Sequence, residues 1–154
     1  MKPELFIKRS RIEAPAEAVF AWHKLPGALE RLTPPWEHVR VLEDSDSLED
    51  GARVVLVTKL GPFHLKWVAE HRDYQEGRRF RDVQVSGPFA VWEHTHSFEP
   101  DGPQASWLED RIEYALPGGY LGRLLGGRMA RKRLENLFDY RHRVTAEQIA
   151  KSHL

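Results

Sequence analysis

The chain has 154 residues, of which 41% are hydrophobic and 30% charged, the size and composition of one soluble domain with its own core; the expectation is a single domain over residues 1–154. It contains no cysteine, which excludes a disulfide framework, a thiolate zinc site and a cysteine nucleophile. Twenty-three basic and 23 acidic residues cancel, so no global field draws nucleic acid or a membrane surface, although Gly118 to Leu154 holds eight basic and three acidic residues. No apolar run approaches the roughly 20 residues of a membrane span. The opening MKPELFIKRS has charges on both sides of its short apolar patch, unlike a signal peptide, and a cytoplasmic protein is expected.

Leu5 to Ile12 reads as a strand, stopped by Ala14-Pro15. Pro15 suits the first turn of a helix, where its missing N–H has no partner to lose, and Glu17 favours the positive helix end. Val19, Phe20 and His23 share a face of this helix, and a second short helix covers Pro26 to Leu32 before Thr33-Pro34-Pro35 ends it. From Trp36 to Leu116, glycines at 51, 61, 77, 87 and 102 separate runs rich in Val, Trp, Phe, Thr and Tyr. The intervals fit hairpins, not crossover connections, and predict an antiparallel meander of about six strands. Beyond Gly118, Leu121, Leu124, Leu125, Met129, Leu134, Leu137, Phe138 and Val144 lie mostly at helical spacing, with basic residues between them, read as a solvated outer face. Gly126-Gly127 is expected to weaken or kink the first turns of this helix.

Side chains alternate along a strand, so Trp92, His94, His96 and Phe98 share a face, and the aromatic residues turn it inward. The same reasoning turns Phe63, Leu65, Trp67, Ala69 and His71 inward on one strand, and Leu108, Asp110, Ile112 and Tyr114 on another. Phe80, Asp82 and Gln84 share a face, with Val83 and Val85 competing for the interior. The expected inner surface therefore carries Trp67, His71, Asp82, Gln84, Trp92, His94, His96, Asp110 and Tyr114. That many inward polar groups make either one paired network or the lining of a wet cavity.

The order of elements, the opening Arg11-Ile12-Glu13-Ala14-Pro15-Ala16-Glu17-Ala18-Val19-Phe20, and Gly87-Pro88-Phe89, Trp92-Glu93-His94-Thr95-His96, Asp110-Arg111-Ile112-Glu113-Tyr114 and Pro117-Gly118-Gly119 resemble the START-like (SRPBCC) superfamily, which includes polyketide cyclase/dehydrases, lipid-transfer START domains and plant pathogenesis-related allergens. The later motifs resemble a narrower bacterial SRPBCC group, some of whose members are fused to a nucleotide-sugar epimerase domain. The resemblance implies an α+β helix-grip fold: a curved antiparallel sheet of about seven strands wrapped around a long C-terminal helix, with two short helices between strands 1 and 2. It also implies a cavity between sheet and helix for a small, mostly apolar ligand: a lipid, polyketide, isoprenoid or aromatic metabolite.

Three functions follow. The first is binding of a small hydrophobic or amphipathic ligand by the nine inward residues above. The second is a cyclase or dehydratase with His94, His96, Asp82 and Asp110 as acid–base groups, since enolisation needs one group to take a proton and another to polarise oxygen. The third is a protein-interaction module of co-chaperone type. No cofactor is expected. His94-x-His96 with His71, Asp82 or Asp110 has metal-ligand chemistry, but no known metal motif surrounds it, and a hydrogen-bonded pair is the preferred reading. No nucleic-acid partner and no stable membrane insertion are expected, and the oligomeric state is left open.

Overall fold

The computed structural model describes residues 2–152. The chain forms β1 (Glu4–Ile12), α1 (Ala16–Lys24), α2 (Ala28–Arg31), β2 (Val39–Asp44), β3 (Arg53–Leu60), β4 (Phe63–Gln75), β5 (Arg79–Ser86), β6 (Val91–Pro100), β7 (Ser106–Ala115) and α3 (Gly119–Ser152). The seven strands make one antiparallel sheet in the order β1-β7-β6-β5-β4-β3-β2. Each of β2 to β7 pairs with its chain neighbour, and β1 closes on β7. This is the helix-grip arrangement implied by the resemblance. The hairpins turn where backbone with positive φ is needed, as at Gly77 (φ 73°) between β4 and β5, a conformation glycine adopts without steric cost. Register shifts interrupt the β2–β3 and β4–β5 ladders and bend the sheet there.

Pro15 precedes α1, which buries Val19, Phe20 and Trp22. With Ile12, Phe80, Phe98, Leu108 and Ile149 these fill one end of the core. Phe6, Trp92, Ile112, Tyr114, Leu134 and Phe138 fill the other end, backed by the half-buried Trp67, Phe89, Ala130 and Leu137. Phe63, expected inward, is 66% exposed, because it follows the β3–β4 turn directly at the end of the sheet.

The long helix departs from expectation twice. It runs unbroken from Gly119 to Ser152, through Gly126-Gly127. It also turns Leu121, Leu124, Leu125 and Met129 outward, whereas Leu134, Phe138, His142, Thr145 and Ile149 face the sheet. Close approach accounts for both. A Cβ on Gly122 would stand 1.9 Å from the Pro117 carbonyl oxygen, and one on Gly126 would touch the Leu116 side chain at 3.5 Å. The half-buried row Gly122–Gly126–Ala130 lies against the end of β7, and the large apolar side chains of the same turns are left on the far side.

Candidate functional site: a buried histidine–aspartate network

The burial pattern of β6 alternates along its length, with Trp92, His94, His96 and Phe98 buried. Pairing sets Asp82 of β5 opposite His94 and Asp110 of β7 opposite His96. The shortest hydrogen bonds run along the diagonals. His94 Nε2 lies 2.7 Å from Asp110 Oδ1, and His96 Nε2 lies 2.7 Å from Asp82 Oδ2. His96 Nδ1 is also 3.1 Å from Asp110 Oδ1, whereas His94 Nδ1 is 3.6 Å from Asp82 Oδ2. The two imidazoles stack at 3.7 Å between the two carboxylates. Phe80 stacks on His96 at 4.0 Å, and the Phe138 ring meets His94 edge-on at 5.2 Å.

A third histidine comes from the helix. His142 Nε2 lies 2.6 Å from Asp110 Oδ2, and its Nδ1 lies 2.7 Å from Ser10 Oγ on β1. Trp92 Nε1 donates to Asp82 Oδ1 at 3.4 Å. The network thus ties β1, β5, β6, β7 and α3 together, between the two halves of the apolar core.

The proton positions follow from this geometry. His96 presents both ring nitrogens to carboxylates, so both carry protons and the ring is an imidazolium. Burial works against that charge, but the bonds to Asp110 and Asp82 outweigh it and push His96 up to about 9. Burial and the neighbouring charged His96 push His94 down instead. Burial also opposes charge on both carboxylates, yet Asp82, facing His94 and His96, and Asp110, bonded by His142, His94 and His96, are held well below the usual carboxylate range. Burial lowers His71, and it pushes His23, whose Nδ1 lies 2.8 Å from the Val19 carbonyl, down to about 4.

Of the nine residues expected to face inward, Asp82, His94, His96 and Asp110 meet in this one network. Trp67, Trp92 and Tyr114 form a second group around Phe89, with Trp67 5.0 Å from Trp92 and 5.5 Å from Phe89. His71 and Gln84 belong to neither. His71 Nδ1 lies 3.0 Å from the Ser47 carbonyl, and Gln84 spends its side chain on the Phe89 backbone, donating at 2.8 Å and accepting at 3.1 Å. Ser10 and His142 are additions that the strand pattern did not reach. The spacing Leu134, Phe138, His142 was the available signal for His142, since i, i+4, i+8 places it in line with two core residues.

Around the histidine–aspartate network the space between sheet and helix is filled by side chains of the two apolar clusters, and two hollows among the described residues hold about 10 Å3 each, room for about one water. One lies by Tyr114, Leu116, Arg123 and Gly127. The other lies by His23, His96, Asp110, Arg141, His142 and Thr145. Donor atoms of Asp82, His94 and His96 fall within 4.8 Å of one another, close enough to suggest a metal site. Ligand bonds near 2.0–2.2 Å around a tetrahedral ion would separate neighbouring donors by about 3.3 Å. The 2.7 Å contact between His96 and Asp82 is shorter than that and is the separation of a hydrogen bond.

A sequence profile described as polyketide cyclase/dehydrase and lipid transport matches residues 12–138. No curated protein matches the chain. Among solved structures, TTHA0849 from Thermus thermophilus superposes with a TM-score of 0.74 at 18% identity, covering 97% of this chain and 99% of that one. A START superfamily protein from Mycobacterium smegmatis superposes with a TM-score of 0.69 at 14% identity, covering 96% and 97%. The nucleoside-diphosphate sugar epimerase from Corynebacterium glutamicum is 28% identical with a TM-score of 0.69; the match covers 94% of this chain but 29% of that chain.

Proposed function

This chain belongs to the polyketide cyclase/dehydrase and lipid-transport family, and we propose that it binds a small, mostly apolar or amphipathic molecule, of the lipid, polyketide, isoprenoid or aromatic-metabolite class, against the concave face of β2–β4. One observation carries this reading. Val41, Leu56 and Trp67 are register partners across the three strands, as are Val39, Thr58 and Leu65, and directly paired residues share a face. Trp67 packs against Trp92 and Phe89, so this face is the concave one. All six except the buried Thr58 remain half-covered. A half-exposed apolar surface continuous with an aromatic cluster suits a guest that covers both, with Trp N–H groups to orient it.

An apolar dye whose fluorescence rises on desolvation tests this directly. The expected result is saturable binding that quenches Trp67 and Trp92, is displaced by a long-chain fatty acid, and weakens about tenfold in Leu56→Lys and Leu65→Lys. Absence of saturable binding, together with no excess mass in native mass spectrometry of the freshly purified protein, overturns the reading.

Catalysis of the cyclase or dehydratase kind is the second reading, and one observation favours it. Neighbouring rings have their proton affinities pushed apart, His96 upward and His94 downward, an arrangement that separates an acid from a base. Replacing both with Gln then abolishes turnover of a β-ketone substrate at a temperature where circular dichroism shows the variant still folded, although its melting temperature falls with the loss of the His96 charge. Unfolding of the double variant assigns the network to structure instead.

A further inference from the structure

The first three turns of α3 are amphipathic in an inverted sense. Their small residues, Gly122, Gly126 and Ala130, lie toward the body of the protein, and their large apolar residues point away from it. Tyr120, Leu121, Leu124, Leu125 and Met129 are 64–81% exposed, five large apolar side chains within ten residues. An apolar patch of that density exceeds what scattered surface residues explain and marks a contact surface. The exposure is not fraying, because the helix continues unbroken for a further 20 residues and more, and Gly122 N–H bonds the Gly118 carbonyl at 3.2 Å.

Charge selects the partner. Of the basic residues here, Arg123, Arg131 and Arg133 pair with Glu4, Glu135 and Glu37, which leaves Arg128 and Lys132 as the cations on offer, and the first acidic residue after Gly118 is Glu135. Arg128 makes no ion pair among the described residues, and Lys132 reaches Glu135 only at 3.9 Å. The β3–β4 turn lies at the same end of the sheet as the start of α3. It presents the exposed Phe63 between the exposed Lys59 and Lys66. Two separate elements therefore bring exposed apolar side chains with basic neighbours to one end of the molecule. No helix is long and apolar enough to cross a membrane among the described residues, so the geometry suits a face that rests on a bilayer.

We propose that the outward face of α3 from Tyr120 to Lys132, with Phe63 at the same end of the sheet, docks reversibly on an anionic phospholipid surface. Leu121, Leu124, Leu125 and Met129 enter the acyl boundary, and Arg128 and Lys132 extend to the headgroups from flexible apolar stems. This goes beyond the ligand reading and stands without it.

Flotation of the full chain with vesicles tests the proposal. The chain should float with mixed phosphatidylcholine–phosphatidylglycerol vesicles and not with phosphatidylcholine alone, and added salt should weaken it by screening. Leu124→Ser/Leu125→Ser and Arg128→Glu/Lys132→Glu should each raise the half-saturating lipid concentration roughly tenfold or more. Both pairs change exposed side chains, so the thermal melt should not move, which separates lost docking from lost folding. Failure to float with anionic vesicles at low salt overturns the proposal, as does flotation that neither variant alters. A micromolar dimer that Leu124→Ser/Leu125→Ser dissociates assigns the face to a second copy and overturns it equally.

Discussion

Replacing Asp110 by Asn keeps its size and removes its charge, which makes it the sharpest perturbation of the histidine–aspartate network. Asp110 meets His142 at 2.6 Å, His94 at 2.7 Å and His96 at 3.1 Å, all through buried atoms. An amide offers one acceptor oxygen and turns its NH2 toward a ring nitrogen, so at least one buried donor loses its partner, at about 1–3 kcal/mol. The His96 imidazolium keeps only Asp82 to balance it, and breaking a buried charge pair from one side costs about 3–5 kcal/mol. Since these losses overlap, the expected total is about 4 kcal/mol, a large share of the roughly 5–15 kcal/mol that holds a domain together. At about 2–4 °C per kcal/mol for this size, the melting temperature should fall by roughly 8–16 °C. Thermal and urea melts followed by far-ultraviolet circular dichroism read it. Asp101→Asn is the control, since Asp101 pairs with Arg11 at 2.7 Å on the surface and its loss should cost less than about 1 kcal/mol. An Asp110→Asn protein within about 1 kcal/mol of the parent would show that the carboxylate does not neutralise His96, and the account of the network would fail.

Stability should peak near neutral pH. His96, pushed up to about 9, holds its proton more tightly in the folded chain, so its stabilisation is complete below pH 6.5 and is lost between 6.5 and 9, on the order of 3 kcal/mol. His23, pushed down to about 4, acts oppositely: its contribution is present above pH 6.5 and is lost on acidification toward 4. Urea melts across this range should show both limbs, and a flat alkaline limb would refute the doubly bonded imidazolium. Gly126→Ala should stabilise the protein by up to about 1 kcal/mol, because its Cβ meets Leu116 at an ordinary 3.5 Å and helix propensity improves. Gly122→Ala should destabilise it, because the same gain meets the Pro117 carbonyl at 1.9 Å; equal melts for the two variants would refute the packing argument.

The sheet half of the network was legible because a strand has only two faces, and one aromatic pair on β6 assigns both. Asp82 followed despite the competing Val83 and Val85, since the two register shifts of the β4–β5 ladder, between Arg72 and Gln75 and between Val68 and Ala69 of β4, fall on either side of it and leave the alternation of Phe80, Asp82 and Gln84 on β5 unbroken. The helix was harder to read. Leu121, Leu124, Leu125 and Met129 repeat at core spacing, and only the close approach of Gly122 to Pro117 decides which side meets the sheet. Close approach depends on what stands opposite, which helical spacing does not encode. The filled interior around the network was hidden for a related reason: aromatic and polar residues on an inward face describe a pocket wall and a packed core equally well. The volume left between sheet and helix depends on how closely the second half of α3 is drawn in.

That drawing-in divides α3 into two parts of unequal local stability. From Leu134 to Ile149 the helix buries a residue every turn and is bonded through His142 to Asp110 and Ser10. From Gly119 to Ala130 it buries no large side chain, and glycine contact with the end of β7 and the partly exposed Arg123–Glu4 ion pair hold it in place. Opening the second part disrupts both apolar clusters and the charged network, so it should require nearly global unfolding. Opening the first part exposes little more than glycine and alanine, so it should occur locally at much lower free energy. Native-state hydrogen exchange reads the difference directly. Amides from 135 to 149 should exchange with the global unfolding free energy, and those from 123 to 130 by local opening several kcal/mol lower. Asp110→Asn should lower protection in the second part together with global stability and leave the first part unchanged. Uniform protection along the whole helix would mean that its first turns are held by something stronger than glycine contact and one partly exposed ion pair, and the division into an anchored and an available half would be wrong.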